Sequence, residues 1–133
     1  MTSEEPFIGL TSLGSKLSEV RDVYGPESKS KPCDEAQIAT SFVFHQNGYE
    51  INATFHDDVL ERVFFVPNSD DGFTNEQLDL LAKFYGQGMN WIKIADTEYM
   101  VMFRRNDDLA YFIYNGIAQF KTSKFDNLKK ATP

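Results

Sequence analysis

The sequence contains a single cysteine, Cys33, so it has no internal disulfide and does not belong to the disulfide-stapled class of secreted domains. Its hydrophobic runs are short, and none approaches the ~20 residues that a membrane-spanning helix needs. Basic residues are also scarce: 13 Lys and Arg face 20 Asp and Glu, which gives a net charge of −7. Because nucleic acids and anionic membranes bind basic surfaces, we expect no nucleic-acid partner and no membrane insertion. A basic protein partner is compatible with this charge.

Residue patterns for metal binding are missing. Six strand steps separate Glu50, which faces His45 in the predicted hairpin, from His56, and at ~3.3 Å per residue this is about 20 Å. The two histidines therefore cannot share a metal ion, and zinc-type ligand spacing is absent. We predict neither a metal nor a cofactor.

Catalytic motifs are missing as well. Cys33 falls in a polar loop without the strand-to-helix elbow of a nucleophile, so a free loop thiol is the expected state. Three acidic doublets each fall at a predicted turn, where Asp side chains bond their own backbone. These doublets are Asp57-Asp58, Asp70-Asp71 and Asp107-Asp108. Turn chemistry explains them, and we expect a protein that is not an enzyme.

The 133 residues suffice for one domain that buries roughly two-thirds of its unfolded surface. The opening residues, MTSEEPFIGL, lack the basic and apolar regions of a secretory signal. The chain as written is therefore expected in the cytoplasm, or outside it if a signal peptide precedes this sequence.

The stretch 41–66 predicts three antiparallel strands with turns at Asn47-Gly48 and Asp57-Asp58, because such pairs tolerate the positive φ of a type I′ turn. A two-residue first turn sets the register. It places Phe44 opposite Ile51, Phe42 opposite Ala53 and His45 opposite Glu50. One face is then apolar (Phe42, Phe44, Tyr49, Ile51, Phe55). The third strand, VLERVFFV, is apolar on both faces, so the pattern leaves its register open.

Two short helices flank this sheet. The first begins at Ser15 as N-cap, aligns Leu17, Val20 and Tyr24 on one face, and ends at Gly25. The second begins with a capping box and a hydrophobic staple and ends at Gly86; the residues concerned are Thr74 with Gln77, and Phe73 with Leu78. Four more strands are predicted, at 91–95, 99–104, 109–114 and 117–120. Residues 26–37 read as a polar loop, and the polar tail from 122 is expected to fray after Phe125.

The two halves look alike. Leu17-x-x-Val20-x-x-x-Tyr24-Gly25 matches Leu78-x-x-Leu81-x-x-x-Tyr85-Gly86, and Tyr49…Phe55-x-Asp57-Asp58-Val59 matches Tyr99…Phe103-x-x-x-Asp107-Asp108-Leu109. The predicted fold is a single α+β domain: an antiparallel sheet of six or seven strands with two short helices on one face. Its two αβββ-type repeats span 7–66 and 73–121, and 122–133 form the tail.

This arrangement resembles known families. The helix, the Gly-Pro stop, the polar loop and the hairpin F-x-F-x-x-x-G-Y-x-I-x-x-x-F-x-D-D-x-L are similar to the module of small lipoproteins that accompany the outer-membrane barrel assembly machinery. The tandem order resembles that of the β-lactamase inhibitor proteins. The shared positions are structural (Leu17, Val20, Tyr24, Gly25, Pro26, Tyr49, Ile51, Phe55, Val59), so the resemblance implies the fold.

The predicted sheet holds more aromatic side chains than one core needs, and an exposed aromatic face would anchor a protein partner. The first hypothesis is thus a non-enzymatic protein-binding module of inhibitor, immunity or envelope-assembly type, with an acidic rim around this face. Its candidate contact residues are Tyr49, Phe65, Trp91, Phe112 and Tyr114. The alternative is a small-ligand or enzymatic pocket on a curved sheet, built around His45, Glu50 and Tyr49. A third possibility is a structural component of a larger assembly.

Overall fold

A computed structural model describes residues 10–46, 48–68, 72–86, 92–97, 100–105, 109–114 and 117–130. Within these ranges three helices and one antiparallel sheet confirm the predicted α+β class. The elements in chain order are α1 (Leu17–Tyr24), β1 (Lys29–Pro32), β2 (Thr40–Gln46), β3 (Tyr49–His56), β4 (Val59–Pro67), α2 (Asn75–Gly86), β5 (Ile92–Asp96), β6 (Met100–Arg105), β7 (Leu109–Tyr114), β8 (Ile117–Thr122) and α3 (Ser123–Lys130). None of the described helices has the length and apolar character of a membrane-spanning segment.

The sheet has eight strands in the order β1-β2-β3-β4-β8-β7-β6-β5. The sequence predicted six or seven, and the additional strand is β1, which lies within the supposed polar loop 26–37. All four residues of β1 are exposed, so it carries no apolar alternation that could reveal it. Its two lysines and its proline are typical of an edge strand, because they discourage pairing with another chain.

The predicted hairpins are confirmed. The register pairs Phe44 with Ile51, Phe42 with Ala53 and His45 with Glu50. Both residues of the second turn have positive φ, 51° for Asp57 and 62° for Asp58, as a type I′ turn requires.

A β-bulge decides the register of β4. Thr54 pairs with Arg62 whereas Phe55 pairs with Leu60, so Glu61 is the extra residue. Leu60, Val63 and Phe65 consequently lie on the same face as the core residues of β3.

α1 and α2 pack on this same face and share one hydrophobic core with the sheet. Its centre is a group of rings: Tyr85 of α2 stacks on Phe120 of β8 at 4.3 Å between centroids, and Phe65 of β4 lies 6.0 Å from Tyr85. Tyr49 and Phe65, predicted as partner contacts, are 3% and 0% exposed in this core. Both are therefore core residues, because the helices cover the face on which they lie.

The polar C-terminal stretch forms a helix, where the sequence analysis expected a fraying tail. Thr122 caps α3 by accepting a bond from the Phe125 N–H at 3.2 Å. Phe125 and Leu128 are buried on the opposite side of the sheet from α1 and α2, against loop 33–39. Cys33 in that loop is a free cysteine, as expected, and at 1% exposed its thiol is buried.

The helices of the two halves begin differently. For α2 the predicted capping box is present: the Gln77 N–H donates to Thr74 Oγ1 at 3.1 Å, and the Thr74 N–H donates to Gln77 Oε1 at 2.8 Å. For α1 the N-cap is Lys16 instead of Ser15. The Leu17 N–H donates to Asp58 Oδ1 at 3.1 Å, so a turn residue of the sheet caps this helix.

We predict that Asp58→Ala lowers the free energy of unfolding by about 1–2 kcal/mol, because it removes the α1 cap and places alanine at positive φ. Asp58→Asn is the matched control, since asparagine keeps the acceptor and tolerates this backbone conformation; its effect should stay within about 0.5 kcal/mol. Urea unfolding followed by circular dichroism measures both. Equal losses in the two variants would show that the cap contributes nothing.

We also predict that three of the six tyrosines resist alkaline ionisation in the folded state. Burial raises the pKa of all three hydroxyls, those of Tyr24, Tyr49 and Tyr85, and it raises the pKa of Tyr49 to about 12. The neighbouring Tyr24 and Tyr49 raise the pKa of Tyr85 further. The folded chain thus retains protons that the unfolded chain loses from pH ~10 upward, so stability falls as pH rises through that range.

The measurement is an absorbance titration of the phenolates beside unfolding midpoints at each pH. Phenolate formation by all six tyrosines at pH ~10, without unfolding, would contradict the burial of these hydroxyls.

Candidate functional site

The candidate site is the face of the sheet opposite α1 and α2. Side chains alternate between the two faces along each strand, and paired residues on neighbouring strands share a face. One group of side chains therefore lies on this face, as shown by the pairings Asn52–Phe64, Glu50–Val66 and Phe64–Gln119. We define the open face as the members of this group that remain half-buried or exposed: His45, Glu50, Asn52, Phe64, Val66, Ile117 and Gln119. The face is assembled from four strands that lie side by side, β2, β3, β4 and β8.

The centre of the open face is apolar. Phe64 and Val66 of β4 and Ile117 of β8 are half-buried. The neighbouring helix α3 packs against the sheet beside Arg62, two residues from Phe64, and Lys121, four residues from Ile117. Their backbones are held by the sheet, and the alternate residues Val63, Phe65 and Ala118 fill the core beneath. The backbone of this apolar patch is thus held in place by the sheet and by the core on its other side.

The end of the open face near the β2–β3 turn is polar. His45 is exposed, and Glu50, its partner across the two strands, is half-buried. An imidazole beside a carboxylate can offer both a donor and acceptors to a docked chain. It completes no catalytic arrangement with Tyr49, because Tyr49 points into the core on the other side of the sheet.

The described ranges contain no candidate metal site. No group of three or more His, Cys, Asp and Glu residues there is placed to hold a metal ion. His56 has Asp57 as its neighbour, with 3.6 Å between Nδ1 and Oδ2, at the far end of β3 from His45. The trio of the alternative hypothesis, His45, Glu50 and Tyr49, is split between the two faces of the sheet.

The other predicted contact residues fall in the second half. Trp91 lies outside the described residues. Phe112 and Tyr114 belong to β7, whose backbone pairs them with Gln119 and Ile117 of β8, while their side chains lie outside the described part.

Phe64 and Val66 were not selected from the sequence, although they alternate with the chosen Phe65. The apolar pattern of VLERVFFV fits either register, and only the bulge at Glu61 decides which residues face outward. A bulge has no clear sequence signal here.

One border of the open face is formed by a buried cation. Arg62 is 3% exposed, and its guanidinium carbon lies 4.6 Å from the ring centroid of Phe64 and 4.3 Å from that of Phe125. It donates to Glu35 Oε2 at 2.7 Å, to Cys33 Sγ at 3.3 Å and to Thr54 Oγ1 at 3.4 Å. Two rings and an ion pair together offset the cost of burying this charge.

Further acidic groups lie along the same border. Lys121 donates to Asp126 Oδ1 at 2.7 Å, and Glu61 accepts from Thr122 Oγ1 at 2.8 Å. The Glu35 side chain remains 52% exposed although it pairs with Arg62. At this border Glu35 and Asp126 are partly exposed and pair with the buried cations Arg62 and Lys121, whereas Glu61 is buried and pairs with the exposed Lys124.

Comparison with known proteins identifies the fold. No protein-family model matches the chain, and no curated protein matches it either. A cysteine-rich secretory protein from Staphylococcus aureus subsp. aureus Mu50 has a similar structure, with a TM-score of 0.55 and 9% identity over 85% of this chain and 45% of that one.

An extracellular protein containing a SCP domain from Bacillus anthracis str. Ames is also similar, with a TM-score of 0.50 and 8% identity. That match covers 94% of this chain and 51% of the other. This chain thus corresponds to about half of each solved protein, and at these identities the likeness concerns the fold alone.

We predict that Arg62→Ala lowers the free energy of unfolding by about 3 kcal/mol or more, because it removes a buried, stacked and paired cation. Arg62→Lys is the informative control. Lysine keeps the charge but loses the planar stacking and the forked donors, so it should recover less than about half of the loss. Urea unfolding measures both variants. Full recovery by lysine would show that charge alone matters at this position.

Proposed function

We propose that this protein is a non-enzymatic binding module that docks a basic protein segment on the open face, in the manner of an inhibitor, an immunity protein or an assembly factor. The observation that carries the proposal is the placement of α1 and α2 on one face of the sheet. This leaves Phe64, Val66 and Ile117 half-exposed on the other. Apolar groups held in a row on a rigid sheet are suited to bury surface against a partner.

Pre-organisation favours binding at this face. A partner that docks here orders few side chains, because the patch belongs to strands whose other side is core. Phe64 is further held by the guanidinium of Arg62 that lies over its ring. The entropic cost of association is thereby reduced on this side of the interface.

Charge specifies the kind of partner. The chain carries a net charge of −7, and Glu50 lies on the open face. At the border, Glu35 and Asp126 are paired with Arg62 and Lys121, so the attraction for a basic segment comes mainly from the net charge of the chain. A net negative charge attracts Lys and Arg side chains and accelerates their association at low salt. A segment with apolar or aromatic residues flanked by basic ones matches both the apolar centre and this charge.

We further propose that the chain arose by tandem duplication. In support, α1 precedes β1–β4, α2 precedes β5–β8, and the strand order mirrors itself about the β4–β8 pair. Tyr24 is the last residue of α1, Tyr85 is the last but one of α2, and both belong to the main core. The strand order matches the turns of the two halves differently from the sequence alignment, which paired Asp57-Asp58 with Asp107-Asp108. Asp57-Asp58 lies between β3 and β4, so its counterpart by strand order is Asn115-Gly116, between β7 and β8. Asp107-Asp108 corresponds in the same way to Asn47-Gly48.

The likeness to two longer proteins fits a modular role. In both, the matching part is about half of the solved chain, so this fold occurs there beside further polypeptide. A module that binds another chain through an open sheet face is compatible with that setting.

The proposal is tested with random peptides displayed on phage and selected on the immobilised protein. We expect selected peptides to combine basic and apolar residues, and to bind at least about tenfold more weakly to Val66→Glu, which places a charge in the apolar centre. Binding should also weaken in ~1 M salt, where the Debye length is ~3 Å. Backbone chemical shifts of the labelled protein then locate the bound peptide.

The matched control is Leu80→Glu, which adds the same charge at an exposed apolar position on α2. It should leave peptide binding unchanged. Selected peptides that perturb α2 in place of β4 and β8, or that bind Val66→Glu as well as the unmodified protein, would refute the open face as the docking site.

A further inference from the structure

We propose that α3 is a clasp that opens without unfolding the main core and thereby enlarges the surface that the open face offers to a partner. The second part of this statement rests on the proposed function; the first does not. α3 follows β8 directly at Thr122 and packs on loop 33–39, which we call its seat. The clasp covers the part of this sheet face that lies beside the open face, around Arg62 and Lys121.

The clasp belongs to a separate, small hydrophobic cluster. Phe125 and Leu128 pack with Cys33, Ala36 and Ala39 of the seat, and none of these five belongs to the main core of α1, α2 and the sheet. Two alanines and a cysteine bury little apolar area. Regions held by few buried apolar contacts open with a lower free energy than the global unfolding reaction.

Polar contacts supply much of the remaining attachment. Lys121 binds Asp126, Glu61 binds Lys124 at 3.4 Å, and Arg62 stacks on Phe125 while it pairs with Glu35 of the seat. These pairs exchange readily for water, because Lys124 and Glu35 are half-exposed. α3 has eight residues, and an isolated helix of that length is not stable in water. Once detached, the clasp therefore unfolds locally.

Opening would alter the binding surface. The rows of the open face continue into Ser41, Thr54, Arg62 and Lys121, and α3 contacts the last two of these. When the clasp is closed, Glu35 and Asp126 neutralise the two cations. When it opens, Lys121 loses Asp126 and Glu61 loses Lys124, while Arg62 loses the ring of Phe125 but keeps its pair with Glu35 of the seat. The open state therefore enlarges the face by these side chains, and one cation and one carboxylate are released from their pairs with α3.

Cys33 reports on this motion. It is the sole cysteine of the chain, it is 1% exposed, and it lies in the seat under the clasp. With Ellman's reagent, the Cys33 thiolate attacks the disulfide of the reagent, forms a mixed disulfide and releases one thionitrobenzoate, while the thiol proton goes to solvent. The rate of release measures how often the clasp is open.

The test compares the labelling rate of the intact chain with its global unfolding equilibrium, over a range of urea concentrations below the transition. We expect labelling at least about tenfold faster than global unfolding allows, with little dependence on urea, because a small clasp exposes little surface. Phe125→Ala should raise the rate by about tenfold or more. Val20→Ala, a truncation in the main core, should lower the unfolding midpoint and leave the labelling rate unchanged.

Labelling that follows the global unfolding equilibrium, with the same urea dependence, would overturn the proposal, and so would equal acceleration by Phe125→Ala and Val20→Ala. No partner is present in this assay. The two proposals can therefore fail separately. Slow labelling would refute the clasp but not peptide binding to the open face, and a failure of peptide binding would not affect the labelling result.

Discussion

The pairing of β4 with β8 is the interaction on which the rest of the structure depends. Four residue pairs, from Arg62–Lys121 to Phe65–Ala118, join the two halves into one sheet. On one side this seam carries Phe65 and Phe120, and Tyr85 of α2 stacks against them to form the centre of the core. On the other side of the sheet the same two strands present the side chains of Arg62, Phe64, Lys121 and Gln119. The core and the open face therefore both follow from one register, since a shift of one residue would exchange the faces.

The two faces of the seam are covered in different ways. α1 and α2 bring aromatic and aliphatic groups to the first face and exclude water from it. α3 contributes one phenyl ring, one leucine and several charges to the second face, where it covers only the region of Arg62 and Lys121. A buried guanidinium is expensive to desolvate, and the Phe64 ring, the Phe125 ring and Glu35 offset that cost jointly. The clasp nevertheless packs in a small hydrophobic cluster of its own, apart from the main core, and this separation is the basis for its independent opening.

Local chemistry made part of this fold predictable. Turn pairs with positive φ, the Thr74–Gln77 capping box and the apolar face of β2 and β3 act within a few residues, so they are visible in the sequence. β1 and α3 were missed because both are polar and owe their structure to neighbours distant in the chain: β1 to pairing with β2, and α3 to Arg62 and the seat. Tyr49 and Phe65 were assigned to a binding surface because the pattern shows that a strand has an apolar face but not which face the helices cover. The bulge at Glu61, which turns Phe64 and Val66 outward, lacks a sequence signal altogether.

The central claim is that the second face of the seam is open to solvent beside the clasp. The most direct measurement is the relaxation of methyl signals by a soluble gadolinium chelate, since neighbouring residues on the same strands face opposite ways. Strong relaxation of the Val66 and Ile117 methyl groups, with protection of Val63 and Ala118, is the expected result. Equal protection of all four would mean that another surface covers this face, and that result would contradict the claim.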